Sequence, residues 1–125
     1  MSSASKAKGT LFESQLADFF QANGIDAKRL PRTGAKDIGD LSFPLRVGMD
    51  PVHMVVEAKN RAAMNLPVFL EEAAVESDNY EQKYPAVSAA HGMVISKRRG
   101  KGVGRAYVVF DLTEWINLMK DVGLL

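Results

Sequence analysis

Three acids and one lysine have the residue types and the spacing that could do chemistry: Glu13, Asp40, Glu57 and Lys59. Glu57 and Lys59 are separated by one residue, so in an extended strand both side chains point to the same side. Two or three carboxylates can hold a divalent cation against a phosphate, where the ion polarises the phosphoryl oxygen and activates a bound water. A lysine nearby adds positive charge where the transition state becomes more negative. The chemistry that these residues fit is hydrolysis of a phosphodiester.

The composition limits which cation such a site can hold. The chain has no cysteine, and its only histidines are His53 and His91. These counts exclude disulfides, thiolate zinc sites, iron–sulfur clusters, cysteine nucleophiles and metal sites built from several histidines. Any metal must be held mainly by carboxylate oxygens, which favours Mg²⁺ or Mn²⁺.

Length and hydropathy indicate one globular domain. The chain has 125 residues, an apolar share of 46% and a formal net charge of +1, which is enough to build a core without covalent cross-links. No run approaches the roughly 20 apolar residues of a membrane span, and the first residues lack the apolar part of a signal peptide. We therefore expect a cytoplasmic protein without a membrane partner, with a flexible basic arm over residues 1–8 and a single domain over residues 9–125.

Hydrophobic periodicity predicts the element order α-β-β-β-α-β-β-α and hence an α/β fold. The predicted helices cover residues 11–22, residues 67 to about 84, and a last segment that Asp111 caps and Glu114 completes as a capping box. The predicted strands cover residues 25–30, 40–43, 52–59, 92–96 and 105–110. Strand 52–59 alternates most clearly, and its second face carries Glu57 and Lys59 together with His53 and Val55.

Two basic blocks without an acid indicate contact with a nucleic-acid backbone. One block spans residues 28–36, and the other spans residues 97–105, where glycines alternate with the charges in a predicted flexible hairpin or loop. A merely solubilising surface is the alternative for the second block. The candidate DNA-binding residues are Lys6, Lys8, Arg29, Arg32, Lys36, Lys97, Arg98, Arg99, Lys101 and Arg105.

Each of the four chemical candidates also has an ordinary structural interpretation. Glu13 follows Thr10 by three residues, so it could complete a capping box at a helix start. Asp40 and Asp37 could both be turn residues, and Asp40 is the preferred ligand because an apolar strand follows it. Glu57 and Lys59 could be an ion pair on a solvated strand face.

Two further groups of polar residues are expected to have no chemical role. Glu72 and Glu76 are predicted to lie on a solvated helix face, although a helix after the central strand can lend a polar residue to a metal or a water. His53 and His91 are predicted to be incidental.

Four segments in a characteristic order resemble the small Holliday junction resolvases of archaea and bacteriophages, which share the PD-(D/E)xK nuclease core. The segments are Lys8–Glu13, Arg32–Leu41, Val55–Asn60 and Val94–Lys97. The resemblance runs from Lys8 to about Trp115, and the pattern over residues 97–102 is most similar to the phage branch. One departure is Gly39, which stands where the family has proline before the aspartate.

The resemblance implies a restriction-endonuclease-like fold with a central mixed β-sheet flanked by helices. By position in the motifs, it implies that Glu13, Asp40 and Glu57 are metal ligands and that Lys59 is the catalytic lysine. It further implies an Mg²⁺-dependent endonuclease, with Mn²⁺ as a substitute ion, that resolves four-way DNA junctions. A homodimer in a phage-infected bacterial host and the absence of a small-molecule cofactor complete these expectations.

Two other functions stay open at this point. The first is a nuclease of the same superfamily that cuts other branched or duplex DNA. The second is a catalytically inactive DNA-binding protein, which has no need for acids beside a polyanion.

Overall fold

A computed structural model describes residues 3–32, 34, 36–46 and 48–125 of the chain. Residues 1 and 2 of the predicted arm, and positions 33 and 35 within the second resemblance segment, lie outside the described residues. The helices are α1 (Ser3–Ala22), α2 (Leu66–Lys83) and α3 (Leu112–Asp121), and the strands are β1 (Lys28–Arg29), β2 (Leu41–Leu45), β3 (Val52–Lys59), β4 (Ala89–Ser96) and β5 (Tyr107–Val109). None of the described helices has the length and apolar character needed to cross a membrane.

The five strands form one mixed sheet in the order β1-β2-β3-β4-β5. β3 and β4 are parallel and joined through α2, whereas the other neighbouring strands are antiparallel. The predicted α/β class and central mixed sheet are therefore confirmed. The parallel strands β3 and β4 end at the same edge of the sheet, where Lys59 of β3 pairs with Ser96 of β4. Just beyond this pair, the N–H of Lys97 donates to the carbonyl of Lys59 at 2.9 Å. The basic segment over residues 97–105 thus starts beside Lys59.

The alternation of β3 divides the core between the two faces of the sheet. Met54 and Val56 are buried together with Phe12 of α1 and Leu118 of α3. Val55 is buried on the opposite face with residues of α2. Full burial of one such aliphatic side chain stabilises the fold by about 1.5–3 kcal/mol. Since Glu57 and Lys59 share the face of Val55, packing of β3 orients them toward α2.

α1 begins at Ser3, eight residues earlier than the apolar pattern predicts. The residues from Ser3 to Lys8 are exposed, so helical propensity rather than burial of an apolar stripe accounts for this extension. The expected flexible arm is therefore helical from Ser3 onward. Thr10 and Glu13 lie in the helix interior, and the capping-box interpretation of Glu13 is wrong.

The basic segment between β4 and β5 is a hairpin connection that packs against α1. It contains a 3-10 turn at Val103–Arg105, and Val103 is partly buried against the main core. Gly104 lies so close to α1 that a Cβ there would be 2.8 Å from the ring of Phe19. This contact places the segment against α1 at one side of the sheet edge.

His91, predicted to be incidental, joins the sheet to α3. It is 5% exposed, its Nδ1 lies 2.9 Å from Oε1 of Glu114, and its Nε2 lies 2.7 Å from Oδ2 of Asp121. An ionised carboxylate only accepts hydrogen bonds, so this pair of contacts favours the imidazolium form of His91, in which both ring nitrogens donate. Burial lowers the pKa of His91, but the hydrogen bonds to Glu114 and Asp121 outweigh it and raise the pKa. Asp111 caps α3 by accepting from the N–H of Thr113, as predicted.

We expect the free energy of unfolding to fall as the pH rises above about 6.5, the ordinary pKa of histidine. The pKa of His91 is higher in the folded state than in the unfolded state. Protonation of His91 therefore stabilises the fold fully below the unfolded-state pKa, and this stabilisation is lost as the pH rises through the folded-state pKa. Charged hydrogen bonds of this kind contribute about 1–3 kcal/mol. Urea unfolding at several pH values should show a smaller pH dependence above pH 6.5 in His91→Gln than in wild type. His53→Gln is the matched control, because burial lowers the pKa of His53. Equal pH dependence in wild type and His91→Gln would contradict the imidazolium link.

Candidate active site

Asp40 lies immediately before β2 and is held by the backbone of β3. Its N–H donates to the carbonyl of Val56 at 2.9 Å, and its Oδ2 accepts from the N–H of Ala58 at 2.9 Å. These two bonds place the carboxyl group beside Glu57. Asp37 lies in the preceding turn, where its Oδ1 accepts from the N–H of Gly39 at 3.0 Å.

Glu57 and Lys59 are both buried, with 7% of each residue exposed. The ammonium of Lys59 lies 3.3 Å from Oε1 of Glu57 and 2.8 Å from Oε2 of Glu72, and it also lies over the ring of Phe69. The interpretation as a solvated strand face is therefore wrong for this pair. Burial lowers the pKa of Lys59, but the contacts with Glu72 and Glu57 raise it above the ordinary value. Lys59 is thus a fixed positive charge in a largely dry position.

The carboxyl groups of Asp40 and Glu57 repel each other at close range. Burial, followed by the negative charge of Glu57, raises the pKa of Asp40 to about 8, although the hydrogen bond from Ala58 opposes the rise. Two carboxylates in one site are stable together only when a proton or a cation compensates their charge. The close approach of the Asp40 and Glu57 carboxyl groups is therefore an arrangement that a bound cation would stabilise.

Glu76 of α2 belongs to the same site, although the sequence interpretation placed it on a solvated helix face. Only 3% of Glu76 is exposed, and one carboxylate oxygen from each of Asp37, Glu57 and Glu76 lies within 4.8 Å of the others. Burial and the contact with Glu57 raise the pKa of Glu76 far above its ordinary value. The prediction for Glu76 was wrong because the residue falls on the inward stripe of α2. A signal was present, since Glu76 follows buried Ala73 by three residues and precedes buried Tyr80 by four.

Glu13 lies near Asp40 and forms ion pairs with two arginines. It is 4% exposed, its Oε1 lies 3.5 Å from Arg29, and its Oε2 makes a close contact with Arg32. Arg32 also lies 3.3 Å from Oδ1 of Asp40. The structure thus brings Glu13 to the site but bonds it to two exposed arginines, and its role as a metal ligand stays a prediction.

The remaining candidate DNA-binding residues lie around the site or farther along the surface. Lys6 and Lys8 are exposed on α1, and Lys36 donates to Oε1 of Gln82 at 3.2 Å. Arg98 lies over the ring of Tyr107, with 4.8 Å between the guanidinium carbon and the ring centroid. In the same basic segment, Arg99, Lys101 and Arg105 are exposed, and Lys97 is partly exposed. Their contact with DNA stays a prediction.

The donor set fits a hard divalent cation. The site presents carboxylate oxygens from four residues, Asp37, Asp40, Glu57 and Glu76, which is the ligand chemistry that Mg²⁺ and Mn²⁺ prefer. Among the described residues, Oε1 of Glu76 is a buried oxygen without a hydrogen-bond partner. A buried polar atom of this kind is costly unless something binds it.

Comparison with known proteins supports the fold. No protein-family model matches the chain, and no curated protein sequence matches it. Among solved structures, the chain is similar to Hjc of Archaeoglobus fulgidus, a Holliday junction resolvase from an archaeal hyperthermophile. The match has a TM-score of 0.51 and 16% sequence identity, and it covers 92% of this chain and 100% of that chain. The chain therefore shares its fold with this solved structure.

Proposed function

We propose that this protein is a divalent-cation-dependent endonuclease that resolves four-way DNA junctions by paired hydrolysis on opposed strands. The observation that carries the proposal is the buried contact between Glu57 and Lys59 next to Asp40. It occurs on a fold that is shared with a Holliday junction resolvase. A protein that only binds DNA gains nothing from buried acids beside a polyanion.

Asp40 and Glu57 would hold Mg²⁺, or Mn²⁺ in its place, and Glu13 is the third predicted ligand. A cation bound there supplies the charge that polarises a phosphoryl oxygen and lowers the pKa of a bound water. Lys59 would donate a hydrogen bond toward the scissile phosphate or the attacking water, where negative charge grows. Its contacts with Glu57 and Glu72 orient the ammonium before the substrate arrives.

The basic residues would hold the phosphate backbone on both sides of this site. Glu13 positions Arg29 and Arg32 at one rim, and both arginines are exposed enough to reach a phosphate. The segment over residues 97–105 begins at Lys97, whose N–H donates to the carbonyl of Lys59. Contacts of this type fix the DNA without reading its sequence, and their affinity falls steeply with salt.

Paired cuts on opposed strands require two active sites at a fixed distance. One domain of this chain carries one candidate site, so we propose a two-fold homodimer as the active form. A phage-infected bacterial cell is the setting that we propose, because residues 97–102 resemble the phage branch of the resolvases.

The test is strand cleavage of a labelled synthetic four-way junction beside a linear duplex of equal length, with Mg²⁺ or with EDTA. We expect symmetric paired nicks in the junction, little cutting of the duplex, and no product in EDTA. Equal cutting of both substrates would replace junction resolution by general nuclease activity. Tight junction binding without cleavage in either Mg²⁺ or Mn²⁺ would refute the catalytic proposal and favour a DNA-binding role.

A further inference from the structure

Glu57 has carboxylate neighbours on two sides, which extends the site beyond the ligands named above. On one side is Asp40, fixed to the backbone of β3. On the other side are Asp37 and Glu76, which reach Glu57 from the turn before β2 and from α2. The two groups share only Glu57.

The group on the α2 side contains a carboxylate oxygen that makes no hydrogen bond within the described part of the protein. Glu76 is 97% buried, and its Oε1 has no hydrogen-bond partner among the described residues. The ligand oxygens of Asp37, Glu57 and Glu76 nevertheless lie within 4.8 Å of one another. Mg²⁺ binds oxygens at about 2.0–2.1 Å, so three oxygens at this separation would contact one ion once their side chains close in by about 1 Å or less.

The positive charges near this group balance only part of it. Lys59 contacts Glu57 and Glu72, while Arg32 contacts Glu13 and Asp40 and is close enough to interact with the charge of Asp37. The described ion pairs therefore supply no positive charge to Glu76. Asp37 is exposed, but Glu57 and Glu76 are both buried, and burying two carboxylates side by side without a cation or a proton is costly.

We infer that Asp37, Glu57 and Glu76 form a second divalent-cation site, which shares Glu57 with the Asp40 site. This inference deepens the proposed function and rests on it, because a second cation held by these residues would supply charge to stabilise the leaving oxygen while the first activates the attacking water. In this arrangement α2 contributes directly to the site, through a residue outside all four segments that carry the sequence resemblance.

The experiment measures Mn²⁺ binding to the full chain without DNA, by titration calorimetry and by the electron paramagnetic resonance of free Mn²⁺. We expect two bound ions per chain in wild type. Glu76→Gln should weaken one of them at least about tenfold, the loss that even residues supporting a ligand often cause. Asp40→Asn should weaken the other ion, and Asp37→Asn should resemble Glu76→Gln. Glu71→Gln, an exposed position on the same helix, is the matched control and should bind as wild type.

Thermal unfolding gives a second readout that does not depend on activity. Glutamine keeps the shape of Glu76 and removes its charge, so the variant should fold and should lose part of the stabilisation that Mn²⁺ gives wild type. If Glu76 holds a proton instead of sharing a cation, Glu76→Gln will bind Mn²⁺ with wild-type affinity and stoichiometry, and the second site is disproved. That result would leave junction cleavage by the Asp40 site intact, whereas failure of the proposed function would appear as absent cleavage in wild type.

Discussion

Replacing Glu57 by glutamine is expected to lower junction cleavage at least about a thousandfold, equivalent to about 4 kcal/mol of activation free energy. Glu57 touches every part of the site, since it contacts Lys59, lies beside Asp40 and joins the cluster of Asp37 and Glu76. Removing its charge weakens cation binding and releases one of the contacts that orient the ammonium of Lys59. Single-turnover cleavage of a labelled junction in saturating Mg²⁺ measures the effect.

Binding of the junction should survive the same substitution. Glutamine removes a negative charge beside a polyanion, so affinity in EDTA should equal or exceed that of wild type. Lys59 keeps Glu72 as a partner at 2.8 Å, and the variant is therefore expected to remain folded. Glu71→Gln makes the same chemical change at an exposed position of α2 and should cleave normally. Unchanged cleavage by Glu57→Gln would show that the chemistry lies elsewhere.

Replacing Gly39 by alanine is expected to lower the free energy of unfolding by about 2–4 kcal/mol. Gly39 has a φ of 101°, a conformation that residues with a Cβ rarely adopt. A Cβ at this position would lie 2.5 Å from Cγ1 of Val55, a side chain that is fully buried in the centre of the sheet. Because Asp40 follows directly, displacement of this turn should also reduce cleavage. Urea denaturation gives the stability, and the junction assay gives the activity.

Gly24→Ala separates the cost of the positive φ from the cost of the steric contact with Val55. Gly24 also has a positive φ, at 79°, but a Cβ there meets nothing within 4 Å. Its substitution should therefore cost about 1–2 kcal/mol, from the backbone conformation alone. Adding Val55→Ala to Gly39→Ala should restore part of the lost stability relative to the sum of the single changes. Additive effects in this double variant would contradict the predicted steric contact with Val55.

Local sequence patterns were sufficient for the central part of the site. The period of two in β3 places Glu57 and Lys59 on one face, and the observed strand has the predicted bounds Val52–Lys59. Asp111 was likewise recognisable as a helix cap, because capping depends on neighbours two residues apart. The order of the elements and the α/β class followed from the same short-range periodicities, and the likeness to Hjc supports the fold.

Other expectations failed where a residue's partner is distant in the chain. Glu76 has a polar side chain on an inward stripe, and only the packing of α2 against β3 brings it to Glu57. His91 appeared without a role until α3 placed Asp121, thirty positions away, beside its ring. The start of α1 was missed because exposed residues leave no apolar period.

The sequence by itself therefore determined which chemistry the chain can support and which strand carries Glu57 and Lys59, because those features depend on residue type and on neighbours along the backbone. Only the tertiary structure decided which other groups share that site. Arg32 reaches Glu13 across nineteen positions, and Glu76 reaches Glu57 by the return of the chain through α2. Such contacts arise from how the helices pack on the two faces of the sheet, and the spacing of residues along one element does not encode that packing.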